Sequence, residues 1–583
     1  MPQTTTPVRR RFVMPADREL TFRALSSGVL LGALLTPSNI YSGLKIGWSF
    51  NMSIIALLVS YGIWRSLVRW RLGTAWSMRE SNINQTTTSA AASIISGGLV
   101  APIPAYTLLT GQQLPTLPLV AWVFSVSFLG IWVAWYLRRS MVEDTRLRFP
   151  EAVATLETMQ QVYNHGRDAM QRLCVLGAAA VLGGLVKWAD TFVFALPRWS
   201  PSVQLERLTF NLDPSPLLIG FGGIIGIRVG LSLLLGALIA WGGLAPWLLS
   251  SGLVAPGSEA SGPQFAPLVE WLLWPGVTLL VCATLTALAI RFVASRRAAR
   301  APGKTPRQAP AKLPLLMLTL ASLLVLTLQV LLFDIDPLMA LLSVPLAVAL
   351  ACMAARVVGA TGIPPIGATG QLSQLTFGLI APGQISVNLM AANTAGGAAG
   401  QCTDLLNDFR VGHAIGAKPY NQLIAQCLGI LVGSIVGVLV YQILIPDPQS
   451  MLITQQWPAP AVATWKAVAE VLGYGLDSLD ASIRWAMLIG ALCGVVFGVL
   501  EASLPEQSVF ARLLPSSAAF GLAFIIPASI SLMMAIGALL AWVVQSRWRS
   551  LGERFTIAAA AGLVAGESIV GVGASFWMML AGG

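Results

Sequence analysis

The chain has 583 residues, of which 55% are hydrophobic and only 10% are charged, and its mean hydropathy is +0.73. A water-soluble domain usually carries about 25% charged residues, and chains beyond about 250–300 residues split into several domains. This composition excludes a soluble enzyme, a transmembrane β-barrel and a simple receptor. It predicts an all-α polytopic membrane protein with about 14–16 transmembrane helices of about 20 residues. The 55 glycines and 35 prolines indicate that some helices are broken or tightly packed.

The chain begins with a polar segment, residues 1–20, in which Arg9, Arg10 and Arg11 are adjacent. It has no apolar run of the kind that precedes a signal cleavage site, so we expect a cytoplasmic tail. Sixteen apolar segments follow, with the approximate bounds 22–44, 48–69, 84–105, 116–138, 170–195, 214–228, 229–250, 268–294, 313–333, 337–358, 363–381, 386–403, 420–444, 482–502, 516–546 and 555–580.

The net charge of +11 is explained by basic clusters between apolar segments, and no nucleic-acid partner is expected. Such clusters follow the second segment (65–71), the fourth (138–139) and the eighth, where residues 294–312 form a basic, acid-free linker between two halves of one transporter domain, 1–583. The positive-inside rule places these clusters and the N-terminus in the cytoplasm. The cluster at 547–554 would then lie outside. Either segment 516–546 is two half-helices broken at Pro527, or the count is off by one.

Two segments indicate an internal duplication. Ser215–Trp241 aligns without gaps with Ser516–Trp542, and ten of 27 positions are identical. Chance matches are common in apolar sequence, so the alignment is suggestive. Two related halves are typical of secondary transporters, whose solute site lies where the repeats meet.

Polar clusters inside the apolar segments mark candidate solute sites, because polar side chains are costly in the bilayer core. Residues 36–45 predict either an interrupted helix that exposes backbone to a cavity, or a helix that ends near Pro37. Residues 80–89 predict either a binding surface or hydrogen bonds between helices. The solute-binding candidates of these two clusters are Asn39, Tyr41, Lys45, Asn82 and Gln85.

Two later clusters add Gln371 and Asn393 as solute-binding candidates. Residues 361–383 contain Pro364, Pro365 and Pro382, which favours a re-entrant or discontinuous segment over an extramembrane loop. Residues 393–413 place Asp404 and Asp408 four residues apart on one helical face. Because Arg410 and His413 follow at once, we favour a water-exposed helix end there over a buried carboxylate pair.

Protons are the expected coupling ion, and four carboxylates are candidates to carry them. Glu567 is the strongest, because it lies in an otherwise uncharged apolar segment where an ionised carboxylate is costly. Asp404, Asp408 and Glu80 are the others.

Taken in order, these clusters resemble the oligopeptide transporter superfamily. The residues that carry the resemblance are N-I-Y-S-G-L-K-I-G-W (39–48), E-S-N-I-N-Q-T (80–86), R-F-P-E-A (148–152), D-x-x-x-D-F-R-V-G-H (404–413) with Pro419 and Gln422, and G-x-x-A-G-E (562–567). The resemblance implies a proton-coupled importer of small peptides or metal chelates. The Asn-Pro-Gly-Pro and Lys-Ile-Pro-Pro-Arg signatures of the peptide clade are absent, which favours the bacterial and yellow-stripe-like side.

Two other classes remain as alternatives. Asp404-Leu-Leu-Asn-Asp408 has some similarity to the Asp-rich motif of a membrane-embedded prenyltransferase, but a second such motif is missing. A channel is the other alternative, and two related halves favour alternating access over it. We therefore expect a multi-pass transporter, not an enzyme, in the inner (plasma) membrane. No cofactor or metal site is implied, and its partners are the solute, protons, the bilayer and a possible second copy of the chain.

Overall fold

The computed structural model describes residues 19–48, 52–142, 147–164, 166–257, 263–299, 312–504 and 508–581. Most of the predicted tail (1–20) and most of the predicted linker (294–312) lie outside the described residues. The first half contains α1 (Phe22–Ile46), α2 (Ser53–Arg69), α3 (Met78–Ala92), α4 (Pro102–Thr110), α5 (Thr116–Val142), α6 (Pro150–Asn164), α7 (Gly166–Phe192), α8 (Val203–Arg207), α9 (Pro216–Ile225), α10 (Ile227–Ala237), α11 (Ala245–Ser250) and α12 (Phe265–Ala299).

The described chain after the predicted linker is also all-helical. It contains α13 (Lys312–Phe333), α14 (Pro337–Thr361), α15 (Ile366–Ile380), α16 (Ile385–Ile415), α17 (Pro419–Leu444), α18 (Pro448–Met451), α19 (Pro460–Tyr474), α20 (Ala481–Ser503), α21 (Val509–Leu513), α22 (Ser517–Leu522), α23 (Ala528–Arg547) and α24 (Arg549–Ala581). Short 3₁₀ segments lie at Ser93–Gly97 and Leu476–Ser478, and a π segment lies at Leu238–Leu244.

Eleven helical stretches of the described chain are long and apolar enough to cross a membrane, which confirms the all-α polytopic class. Helices α1 and α16, with 25 and 31 residues, are also longer than the roughly 20 residues that a bilayer needs. They are not among the eleven stretches because their polar residues lower their mean hydropathy. Helix α15, in the predicted segment 363–381, has only 15 residues and therefore spans about 22 Å at 1.5 Å per residue, less than the bilayer core.

Helix breaks occur at two of the three places where the sequence predicted them. Pro364 and Pro365 precede α15 and Pro382 lies in the turn before α16, so segment 361–383 is discontinuous as predicted. Pro527 separates α22 from α23. Both alternatives for residues 36–45, an interrupted helix and a helix that ends near Pro37, are wrong, because α1 continues through Pro37 to Ile46. The Thr36 hydroxyl donates to the Gly32 carbonyl at 2.7 Å.

The two segments of the internal duplication pack against each other. Helices α9 and α10 meet at Gly226, whose φ is +80°, and α22 and α23 meet at Pro527. These two residues occupy the same position of the 27-residue alignment. Aligned glycines also make equivalent contacts: Gly236 lies against the Phe520 carbonyl, and Gly537 lies against the carbonyl of Ile219, the residue that aligns with Phe520. The two aligned segments are therefore broken helices that contact each other through equivalent glycines.

Candidate functional site: a cavity between broken helices

A cavity of about 730 Å³ lies between α1, α12, α15, α16 and α19, and the ends of α6, α20 and α22 close it. Cavities of about 300–1,000 Å³ are typical of small-molecule sites. The wall is mainly apolar, with a set of polar side chains distributed over it. These are Asn39, Ser93, Ser96, Glu151, Thr284, Arg291, Gln371, Asn393, Asp404, Thr464, Glu501, Ser516 and Ser517.

Helix breaks and small residues create the space. The break between the Ser93–Gly97 segment and α4 contributes Gly98, and the break before α15 contributes Pro364 and Pro365. Gly98 has φ +112°, and a Cβ there would lie 2.6 Å from the Asn393 Oδ1. A side chain at this position would therefore push Asn393 out of place. Non-helical backbone at membrane depth is tolerated where it lines a polar cavity.

Three of the seven predicted solute-binding residues line the cavity: Asn39, Gln371 and Asn393. Asn39 donates through Nδ2 to the Ala92 carbonyl at 3.0 Å. The Oε1 of Gln371 accepts from the Thr284 hydroxyl at 3.3 Å. The Oδ1 of Asn393 accepts from the indole N–H of Trp122 at 2.8 Å, which fixes the amide and turns its Nδ2 away from Trp122.

The other four predicted solute-binding residues do not line the cavity and contact other parts of the protein. Tyr41 is buried and packs edge-on against Trp457, with ring centroids 5.3 Å apart. The ammonium of Lys45 lies 6.0 Å from the same indole ring. Asn82 is fully buried and donates to the Gln85 Oε1 at 3.4 Å. Gln85 donates to the Ser53 hydroxyl at 3.0 Å and to Asp408 at 2.6 Å, so the second alternative for residues 80–89, hydrogen bonding between helices, describes Gln85 better.

Asp404 and Asp408 occupy adjacent turns of α16 in different surroundings. Asp404 lines the cavity. Asp408 is 4% exposed and accepts a hydrogen bond from the Gln85 Nε2 at 2.6 Å. The predicted water-exposed helix end is wrong here, because α16 runs on to Ile415 and packs against α3, α5, α6 and α17. Arg410, used to argue for exposure, donates to the Val142 carbonyl.

Glu80 and Glu567, the two remaining proton-coupling candidates, do not line the cavity: Glu80 lies in the first turn of α3, and Glu567, in the middle of α24, lies against the N-terminus of α9. Glu80 accepts two hydrogen bonds from the Arg23 guanidinium, at 2.7 and 2.6 Å, and completes a capping box with Ser77 at the start of α3. Glu567 accepts from the Ser215 hydroxyl at 2.8 Å and from the Leu217 N–H at 2.7 Å. Both carboxylates therefore stabilise a helix N-terminus, where the helix dipole favours negative charge.

Sequence reasoning missed three charged residues of the cavity wall: Glu151, Arg291 and Glu501. Glu151 lies in the R-F-P-E-A motif, so the signal was present without an assigned role. Its Oε2 accepts from the Asn407 Nδ2 at 2.7 Å. Arg291 lies shortly before the basic linker, where the positive-inside rule already accounts for basic residues. It was therefore not considered as a site residue. Among the described residues, no group of three or more His, Cys, Asp or Glu side chains is placed to hold a metal ion.

Comparison with known proteins identifies the class. The family model described as OPT oligopeptide transporter protein matches residues 19–578. The chain belongs to the oligopeptide transporter family. It is therefore a membrane transporter and not an enzyme, which removes the prenyltransferase alternative.

Relatives of the family come from fungi, bacteria and plants. The chain is 23% identical to a Saccharomyces cerevisiae protein named as an oligopeptide transporter, over 98% of each chain. It is 25% identical to a Haemophilus influenzae protein with the same kind of name, over 91% of each. A rice (Oryza sativa subsp. japonica) protein named for metal–nicotianamine transport is 24% identical, over 96% of this chain and 90% of the relative. The relatives thus include proteins named as oligopeptide transporters and a protein named as a metal–nicotianamine transporter.

Proposed function

We propose that this oligopeptide transporter family member imports small peptides or metal chelates, driven by protons, and that the 730 Å³ cavity holds the solute. The observation that carries the proposal is the cavity, which broken helices from both halves enclose and which contains a carboxylate of α16. Such a site between repeats is the usual architecture of a secondary transporter. The names of the relatives support this choice of solutes.

Asp404 is the proton-coupling residue that the geometry favours. It is the one of the four candidate carboxylates that lines the cavity, so solute and proton can influence each other there directly. Ser93 hydrogen-bonds to it, and Glu151 and Asp408 are close enough to interact with it electrostatically. An ionised carboxylate is costly at membrane depth. Two neighbouring acids increase that cost, and a cationic group of the solute would reduce it.

Transport by the purified chain in liposomes tests this proposal. With an inward proton gradient, we expect trialanine or iron(II)–nicotianamine to accumulate above its external concentration, and a protonophore to abolish the excess. Uptake that only equilibrates would indicate a channel, and no uptake of either probe would contradict the proposal.

The variant Asp404→Asn tests the coupling residue. The amide mimics the protonated acid in shape, so we expect it to retain counterflow exchange of the solute and to lose gradient-driven accumulation. Asp477→Asn is the matched control, because the Asp477 side chain is fully exposed and pairs only with Arg484 among the described residues. Full gradient-driven accumulation by Asp404→Asn would exclude Asp404 as the coupling site.

We further propose that the N-terminus, residues 1–20 and the 294–312 linker face the cytoplasm, in an inner (plasma) membrane. Arg554 pairs with Asp168 at 2.8 Å, so the 547–554 cluster lies on the same face as the start of α7. The break at Pro527 supports the first of the two explanations for this cluster. The expectation of a single domain in two halves, and that of a homo-oligomer, stay predictions.

A further inference from the structure

Charged side chains on four helices contribute to the cavity wall. Among the described residues that line it, Glu151, Asp404 and Glu501 are the anions and Arg291 is the one cation. Arg291 belongs to α12, whereas Asp404 belongs to α16 and Glu151 to α6. Helices α14 and α15 pack against both α12 and α16, so the cation and these two carboxylates are presented from different walls.

Arg291 differs from Glu151 and Glu501 in having no ion-pair or hydrogen-bond partner among the described residues. Glu501 lies 3.6 Å from the Arg228 guanidinium and accepts from the Ser517 hydroxyl at 2.6 Å. Glu151 accepts from Asn407. Arg291 makes no ion pair or hydrogen bond with any residue that the structure describes.

The surroundings of Arg291 make an anion in the cavity favourable. On its own helix the two nearest cavity-lining residues, Ala287 and Leu288, are apolar. A partly buried cation next to apolar side chains is costly unless an anion compensates it. The planar guanidinium matches a carboxylate with two parallel hydrogen bonds, which a point charge such as an ammonium cannot form.

We propose that Arg291 binds the carboxylate of a zwitterionic solute whose ammonium group lies beside Asp404 and Glu151. The substrate class is then molecules built from α-amino acids: free peptides, which present both groups, or metal-loaded amino-acid chelators, whose amines bind the metal and in which the metal ion supplies the positive charge in place of the ammonium. This inference rests on the proposed function and adds the group that selects the solute's carboxyl end. It also gives Asp404 and Glu151 a second role, because the positive charge of the solute compensates the negative charge of these two carboxylates.

Binding of end-blocked peptides to the purified full chain tests the inference. The probes are trialanine, its C-terminal amide and its N-acetyl form, with iron(II)–nicotianamine as a fourth. We expect the wild type to bind the amide at least about 10-fold more weakly than the free acid, since a hydrogen-bonded ion pair contributes about 1.5–3 kcal/mol and 1.4 kcal/mol is tenfold in affinity. The N-acetyl form should be weakened similarly, because it lacks the ammonium.

The variant Arg291→Gln should bind trialanine at least about 10-fold more weakly and should no longer distinguish the acid from the amide. Arg291→Lys keeps the charge without the planar guanidinium, so its affinity for trialanine should lie between those of the wild type and of Arg291→Gln. Binding by this variant would also show that the site folds. Arg484→Gln, a half-exposed arginine on α20, is the control and should match the wild type. If only the chelate binds, the same loss is expected for Arg291→Gln with the chelate.

Two results overturn the inference while leaving the proposed function in place. One is a wild type that binds acid and amide equally. The other is an Arg291→Gln variant that binds the acid or the chelate as the wild type does. A wild type that binds none of the four probes contradicts the proposed function itself, and the inference with it.

Discussion

The close packing of α7 against α24 predicts that one glycine of α7 tolerates no side chain. Gly183 is buried against α24, and a Cβ there would lie 2.7 Å from the Leu563 carbonyl oxygen and 3.2 Å from its Cα. Both neighbours are backbone atoms, so the helices themselves must separate. Gly177, six residues earlier on the same helix, has nothing within 4 Å of such a Cβ. Alanine at the two positions therefore makes a matched pair.

The expected difference follows from two opposing terms. Replacing glycine by alanine inside a helix gains about 1 kcal/mol of helix propensity, and this gain is common to both variants. Overpacking costs about 1–3 kcal/mol and applies only to Gly183→Ala. The free energy of unfolding of Gly183→Ala should therefore lie about 1–3 kcal/mol below that of Gly177→Ala.

Thermal unfolding of the purified variants in detergent, followed by tryptophan fluorescence, measures this difference. One kcal/mol shifts the midpoint by about 2–4 °C in domains of 150–250 residues, and by less in a longer chain. We expect a midpoint for Gly183→Ala a few degrees below that of Gly177→Ala. Equal midpoints would refute the reasoning, because they would mean that α7 and α24 are not in backbone contact at Gly183.

Two further predictions concern Glu567 and the topology. Glu567→Gln should lower the unfolding midpoint, since it replaces a charge-assisted cap of α9 by a neutral one at a cost of about 1–2 kcal/mol, while gradient-driven uptake per folded molecule persists. Loss of gradient-driven uptake with normal stability would return Glu567 to the coupling role. A single cysteine introduced as Ala301→Cys in a cysteine-free background should resist membrane-impermeant thiol reagents in intact cells and react after permeabilisation. Rapid labelling in intact cells would place the 294–312 linker outside.

Helix breaks were predictable at two of the prolines discussed above. Pro382 and Pro527 lie where the chain leaves one helix and enters the next, because proline donates no backbone hydrogen bond and disfavours helix in the residue before it. Pro37 has the same chemistry but lies inside α1, which packs against α3 and α17. Packing against neighbouring helices therefore decides which prolines break a helix, and packing is not visible in a single sequence.

The residues that line the cavity were only partly predictable, because whether a residue lines it depends on how its helix is rotated about its own axis. Asn39 and Tyr41 belong to one sequence motif, yet they lie about 200° apart around a helix with 3.6 residues per turn. Asn39 faces the cavity and Tyr41 faces Trp457. Glu567 was singled out as a lone charge, but its partners on α9 are about 350 residues away in sequence. Hydropathy locates polar residues in a membrane segment and does not identify their partners.

The measurement that tests the central claim most directly is solute binding after the cavity is filled by one side chain. Ala287 on α12 lines the cavity, and Ala289, two residues further on the same helix, is exposed on the outer surface. Binding of trialanine and iron(II)–nicotianamine is compared for the two tryptophan variants. We expect Ala287→Trp to abolish saturable binding and Ala289→Trp to bind as the wild type does. Unchanged binding by a folded Ala287→Trp variant would show that the solute binds elsewhere.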